Sequence, residues 1–277
     1  MIEFFVISGI LFSILLSGNF YYHLLITKNN SGKKNTAENA KPAKKRPQKN
    51  LFLIFISILA ILIITALISL SVIHLISQNI FIIYMGILTF AMLTLSFIAI
   101  LNSPNKLFYS ITSAIILIAL QIYLQIPLFG ALLSTLGYIG AINYIMYKKL
   151  INPKIILFFL TAYMIYDFLT VFITPLQPAL AQKTINNIFP SVIMYGKTLL
   201  GLGDVLFTLI MTSFVRVYYS LSAAIIIAFL LSLPLVILGI YTELVPDGKI
   251  ALPYLVLSTP IFLIVVFVMK QRGYKLK

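Results

Sequence analysis

Two carboxylates stand where a chain of this composition has to use or neutralise them. Asp167, in Tyr166-Asp167, and Asp204, in Gly201-Leu202-Gly203-Asp204, each lie near the middle of a long apolar run. A charged carboxylate at the centre of a bilayer costs roughly 2.5–3.5 kcal/mol on insertion scales. Two carboxyls facing each other in low dielectric do not both ionise readily, so the pair shares a proton and titrates as a unit. Such a pair can hydrolyse an amide: one carboxylate takes a proton from water while its protonated partner polarises the carbonyl. It can equally carry protons or cations. On the residues alone, catalysis and transport are evenly balanced.

Other chemistries have less to work with. The chain has no Cys, which removes disulfides, thiol nucleophiles and Cys-based metal sites. His23 and His74 fall in different spans, with no His-Glu-x-x-His for zinc. There is no Gly-x-Ser-x-Gly for a serine nucleophile. The line-up of acids is short: Glu3, Glu38, Glu243 and Asp247 sit at span ends or in loops, and only Asp167 and Asp204 are deep. No metal or cofactor is expected.

The elements that must position these groups are membrane helices. At 61% hydrophobic and 9% charged, the chain is far below the roughly 25% charge of a soluble domain. It reads as an all-α polytopic membrane protein forming one domain over 1–277. Runs of about 20 apolar residues predict nine transmembrane helices at 2–26, 51–76, 80–101, 107–126, 128–147, 155–175, 191–214, 219–240 and 250–270. The first run is too long, and its early charge (Glu3) of the wrong sign, for a cleaved signal, so it is taken as a span. No internal repeat is evident. The segment 27–50 is polar, carries eight of the 20 Lys and Arg, and is expected to be a mobile loop.

The net charge of +14 therefore does not point to nucleic acid, because the basic residues sit between the spans. With nine spans and the 27–50 loop inside, 17 of the 20 Lys and Arg fall on the cytoplasmic side and only Lys183, Lys197 and Lys249 outside. The positive-inside rule then places the N-terminus out and the C-terminus in the cytoplasm, as a multi-pass protein of the cell membrane. Asp167 is 12 residues into the sixth span, about 18 Å, and Asp204 is 13 residues into the seventh, about 20 Å. On consecutive antiparallel helices these positions reach similar depth, so the carboxyls can face each other. Lys197, two turns before Asp204, is expected to snorkel outward. Gly201 and Gly203 allow close backbone approach, either by a neighbouring helix or by a substrate.

At these residues the chain resembles the GxGD intramembrane aspartyl proteases, the family of presenilin and signal peptide peptidase. Tyr166-Asp167 matches the family's YD motif and Gly201-Leu202-Gly203-Asp204 its GxGD motif. The third motif, PAL, is matched at Pro253-Tyr254-Leu255 with Tyr in place of Ala, or in a second register at Ile250-Ala251-Leu252. A literal Pro178-Ala179-Leu180 falls between the two aspartates, where the family has none. The resemblance implies a presenilin-like fold with its catalytic helices, six to nine, over 155–270. It implies an aspartic endopeptidase with Asp167 and Asp204 as the catalytic pair. Tyr166, Gly201, Leu202, Gly203, Pro253, Tyr254 and Leu255 would then shape the substrate cleft. The orientation matches signal peptide peptidase, which implies type II spans or remnant signal peptides as substrates and no obligate partner subunit. The short chain is most similar to the archaeal members.

Overall fold

A computed structural model describes residues 2–32, 60, 78–101, 104–173, 188–190, 192–195, 198–244 and 254–272. The expected second span, 51–76, lies outside them apart from residue 60, as do Lys197 and Pro178-Ala179-Leu180. The described chain is mostly helical: α1 (Ile2–Gly32), α2 (Gln78–Ile100), α3 (Lys106–Leu124), α4 (Pro127–Tyr147), α5 (Pro153–Phe168), α6 (Leu202–Tyr218), α7 (Leu221–Leu244) and α8 (Tyr254–Gln271). Five stretches are long and apolar enough to cross a membrane: Ile82–Ile100, Lys106–Leu124, Pro127–Tyr147, Pro153–Phe172 and Tyr254–Gln271.

Two expectations need correction. The 27–50 segment is not loop from its start, because α1 continues helical to Gly32. More consequentially, 191–214 is not one helix, and the chain is not wholly α. Val192–Tyr195 (β1) and Thr198–Gly201 (β2) pair antiparallel, with Val192 opposite Gly201 and Tyr195 opposite Thr198, and α6 begins only at Leu202. Apolar content cannot separate a short buried hairpin from a helix segment. Val192, Ile193, Tyr195 and Thr198 are β-branched or aromatic, types that favour the pleated form locally.

The division at Pro127 follows from proline chemistry. The residue before a proline is pushed out of the helical region, and Ile126 is extended at φ −92°, ψ 111°. Pro127 then occupies the first turn of α4, where its missing N–H costs nothing. Gln125 takes the left-handed conformation that ends α3. The buried Gln121 amide closes the corner, donating to the Ile126 carbonyl at 2.8 Å and the Ile188 carbonyl at 2.5 Å.

Helix α6 is the centre of the molecule, buried along most of its length and packed by α1, α4, α7 and α8. Small and polar side chains set the packing distances, as expected where helices gain little from hydrophobic burial. Ser213 on α6 donates to Asn143 Oδ1 on α4 at 3.0 Å, and Thr89 on α2 and Ser134 on α4 share a hydrogen bond of 2.8 Å. Gly140 lets α4 lie directly on α2: a Cβ there would stand 1.8 Å from Ser96 Oγ and 2.8 Å from its Cα. Backbone cannot yield as a flexible side chain can. Gly140→Ala is expected to destabilise the fold by about 1–3 kcal/mol, the usual range for overpacking. An unchanged thermal midpoint in detergent would show that α2 and α4 do not pack this closely.

Candidate active site

Three helix ends and one hairpin meet at the candidate site. α5 is started by Asn152, whose side chain accepts the Lys154 N–H at 2.9 Å, with Pro153 in the first turn. It carries Asp167 one residue before its α-helical geometry ends. The chain then widens into a π-turn, Leu169–Ile173. Thr170 marks the change: its hydroxyl bonds the carbonyls of Tyr166 (3.0 Å) and Asp167 (3.2 Å). Such back-bonding competes with the helical ladder, and π-turns gather at functional positions. Asp167 is 1% exposed.

Asp204 is held differently. Gly201 is the N-cap of α6, extended at φ −65°, ψ 135°. Asp204 is then the third residue of the helix, and its carboxyl accepts a hydrogen bond from the Gly201 backbone. This is the returning half of a capping box, with Asp at the position usually filled by Glu or Gln. The motif's first glycine has a local cause: a Cβ on Gly201 would sit 2.9 Å from Asp204 Oδ2. The second glycine has another. A Cβ on Gly203 would meet nothing within 4 Å, and Gly203 is exposed beside the partly exposed Asp204. The approach to the carboxyls therefore opens on the Gly203 side.

The hairpin also changes the placement of Asp204. This carboxyl is not 13 residues along a membrane helix; it sits in the first turn of one. The carboxyls nevertheless converge, because the end of α5 and the start of α6 lie on the same side of the bundle. Asp167 and Asp204 are near enough that their charges act on each other. Aromatic rings set the spacing of the two helices one turn away from the pair. Tyr163, four residues before Asp167, stacks on Phe207, three residues after Asp204, with centroids 3.8 Å apart. Phe159 and Tyr166 extend the seam, at 5.7 Å from Phe207 and 5.0 Å from Tyr163 respectively.

The start of α8 completes the site. Its Leu255 N–H donates to Asp167 Oδ2 at 3.1 Å, across 88 residues of sequence. Tyr254 is buried, donates its hydroxyl to the Leu231 carbonyl on α7, and lies within electrostatic reach of Asp204. Leu231 neighbours the residue that Pro234 leaves without a helical N–H donor. Asp204 thus lies in the first turn of α6, and Asp167 on α5 accepts from the first turn of α8, so each carboxyl has a backbone N–H partner near a helix N-terminus.

Of the residues singled out from sequence, the structure brings Asp167, Asp204, Gly201, Gly203, Tyr254 and Leu255 together, with Tyr166 at the edge. Leu202 is 1% exposed and packed in the hydrophobic core, as Tyr254 and Leu255 also are, while the neighbouring Gly203 is exposed. Pro253 and Ile250-Ala251-Leu252 lie outside the described residues. Sequence reasoning missed Tyr163, whose phenol is within electrostatic reach of both aspartates. Its position one helical turn before Asp167 puts it on the same face of α5. Among the described residues, no three His, Asp or Glu side chains gather as a metal-ligand set. No family model and no curated protein matches the chain.

Proposed function

We propose that this chain is an intramembrane aspartic endopeptidase of the GxGD type, cutting peptide bonds within transmembrane segments or remnant signal peptides. The observation that carries the reading is the convergence of Asp167 and Asp204 between α5 and α6, with the Leu255 N–H at the start of α8 on Asp167. Water between the carboxyls attacks the scissile carbonyl carbon and gives its proton to the ionised carboxylate, while the protonated partner donates to the carbonyl oxygen. The tetrahedral intermediate then collapses, the C–N bond breaks, and a carboxyl proton goes to the departing amine. The substrate enters over Gly203, already unwound, because helical amides are hidden by their own hydrogen bonds.

The wider frame belongs to the same proposal. It comprises nine spans, the N-terminus out and the C-terminus cytoplasmic in the cell membrane, and activity without a partner subunit. The basic distribution along the sequence supports the orientation. Transport by the same carboxylates is the competing use.

The test is reconstitution of the full chain in liposomes with a single-span type II reporter. Two fragments cut inside the apolar span are expected, with a rate that is bell-shaped in pH because one carboxyl must be ionised and its partner protonated. Proton or cation flux that needs Asp167, without any fragment, would assign the pair to transport.

A further inference from the structure

The other end of α6 holds a second feature, unrelated to the carboxyls. Between α1, the end of α6 and the start of α7 lies a groove of about 290 Å³, lined by Leu16, Asn19, Phe20, His23, Arg216, Leu221 and Ile225. Arg216 is in the last turn of α6, 12 residues and about 18 Å along the helix from Asp204. Its guanidinium lies over the Tyr22 ring, 5.4 Å from the centroid, which fixes its direction. Its Nε is buried and has no hydrogen-bond partner among the described residues. A buried donor without an acceptor is uncommon and asks for one. Among the described residues no carboxylate lines the groove to supply it.

A second positive element faces the same groove. Leu221 opens the 24-residue helix α7, whose Ser220 side chain caps the Ala223 N–H at 3.1 Å. The amides of Leu221 and Ser222 have no intrahelical acceptor, and the helix dipole adds to the charge of Arg216. The remaining walls are apolar and open outward: Phe20 is 66% exposed, Leu221 42% and Ile225 40%. In a bilayer such side chains meet acyl chains. The groove therefore offers a cation at one end and a hydrocarbon trough along its length. It also lies where α1 runs on toward the Lys- and Arg-rich segment 27–50.

We propose that this groove binds one anionic phospholipid, its phosphate against Arg216 and the start of α7, and an acyl chain along Leu16, Phe20, Leu221 and Ile225. The phosphate places an acceptor beside a guanidinium whose Nε has none, and the chain covers the exposed apolar wall. A basic residue near a membrane surface favours anionic lipid by an amount equivalent to about five-fold in affinity.

The full chain, purified in an uncharged detergent, is titrated with dioleoylphosphatidylglycerol or dioleoylphosphatidylcholine and the bound lipid counted by native mass spectrometry. Wild type is expected to retain one phosphatidylglycerol and to bind phosphatidylcholine about five-fold more weakly. Arg216→Gln should remove that preference. Ile225→Trp, which fills the trough and leaves the charge in place, should reduce retention of both lipids. Equal retention of the two lipids by wild type would overturn the proposal. So would an Arg216→Gln chain that still prefers phosphatidylglycerol. Millimolar inorganic phosphate that displaces the lipid fully would reduce the site to a free-anion site and also overturn it. If Arg216→Gln does not fold, the Ile225→Trp arm decides, and unchanged retention there rejects the groove.

Discussion

Asp167→Asn and Asp204→Asn are each expected to lower cleavage of a transmembrane reporter by at least about 10³-fold, within the range that general acid–base groups contribute. Neither amide can take a proton from water or return one to the leaving amine. The fold should survive both changes, for different reasons. In Asp204→Asn the side-chain oxygen can still accept the Gly201 N–H, so the returning half of the capping box remains. In Asp167→Asn the amide oxygen can likewise keep the Leu255 N–H. The double variant should be no worse than either single one, because groups that act as a unit lose their effect together. Circular dichroism and size-exclusion profiles check the fold, and fragment counting checks the rate. Wild-type cleavage by both single variants would end the assignment.

The next largest effect is expected from a residue with no functional group. Gly201→Ala places a methyl 2.9 Å from Asp204 Oδ2. The colliding atom is the tip of a side chain, so it can swing aside, loosening its hydrogen bond from the Gly201 backbone at a cost of about 0.5–1.5 kcal/mol. Swinging aside moves the carboxyl out of register with Asp167, and a displacement near 1 Å can cost about 10²-fold in rate. The variant should therefore fold with a slightly lowered thermal midpoint and a kcat lower by about 10²-fold. Gly203→Ala is the control. Its methyl meets nothing within 4 Å, so the carboxyl stays in place and kcat should hold, with any loss appearing in KM as the approach narrows. A Gly201→Ala chain with wild-type kcat would show that the carboxyl does not depend on that glycine.

What could be read from the chain, and what could not, follows from how local each signal is. Apolar runs and Pro127 marked the helices well, because hydrophobic length and proline geometry act within a few residues. The two aspartates stood out because charge in an apolar run is rare. The strands Val192–Tyr195 and Thr198–Gly201 were hidden, since their residues are nearly as apolar as the helix they precede. The error mattered in one place: it put Asp204 mid-helix, when the motif's glycine spacing already describes an N-cap followed by an N3 carboxylate. The contact between Leu255 and Asp167 joins residues 88 apart and no local pattern encodes it. Tyr163 was overlooked for the opposite reason, since aromatic residues are common in these spans and one more carries little information.

The early end of α5 has a consequence for where water comes from. Asp167 stands one residue before the α-helix gives way to the π-turn Leu169–Ile173, where the regular hydrogen-bond ladder is interrupted. The proposed hydrolysis consumes one water per bond, and backbone groups released from the ladder at that turn would give such a water polar partners beside the carboxyl.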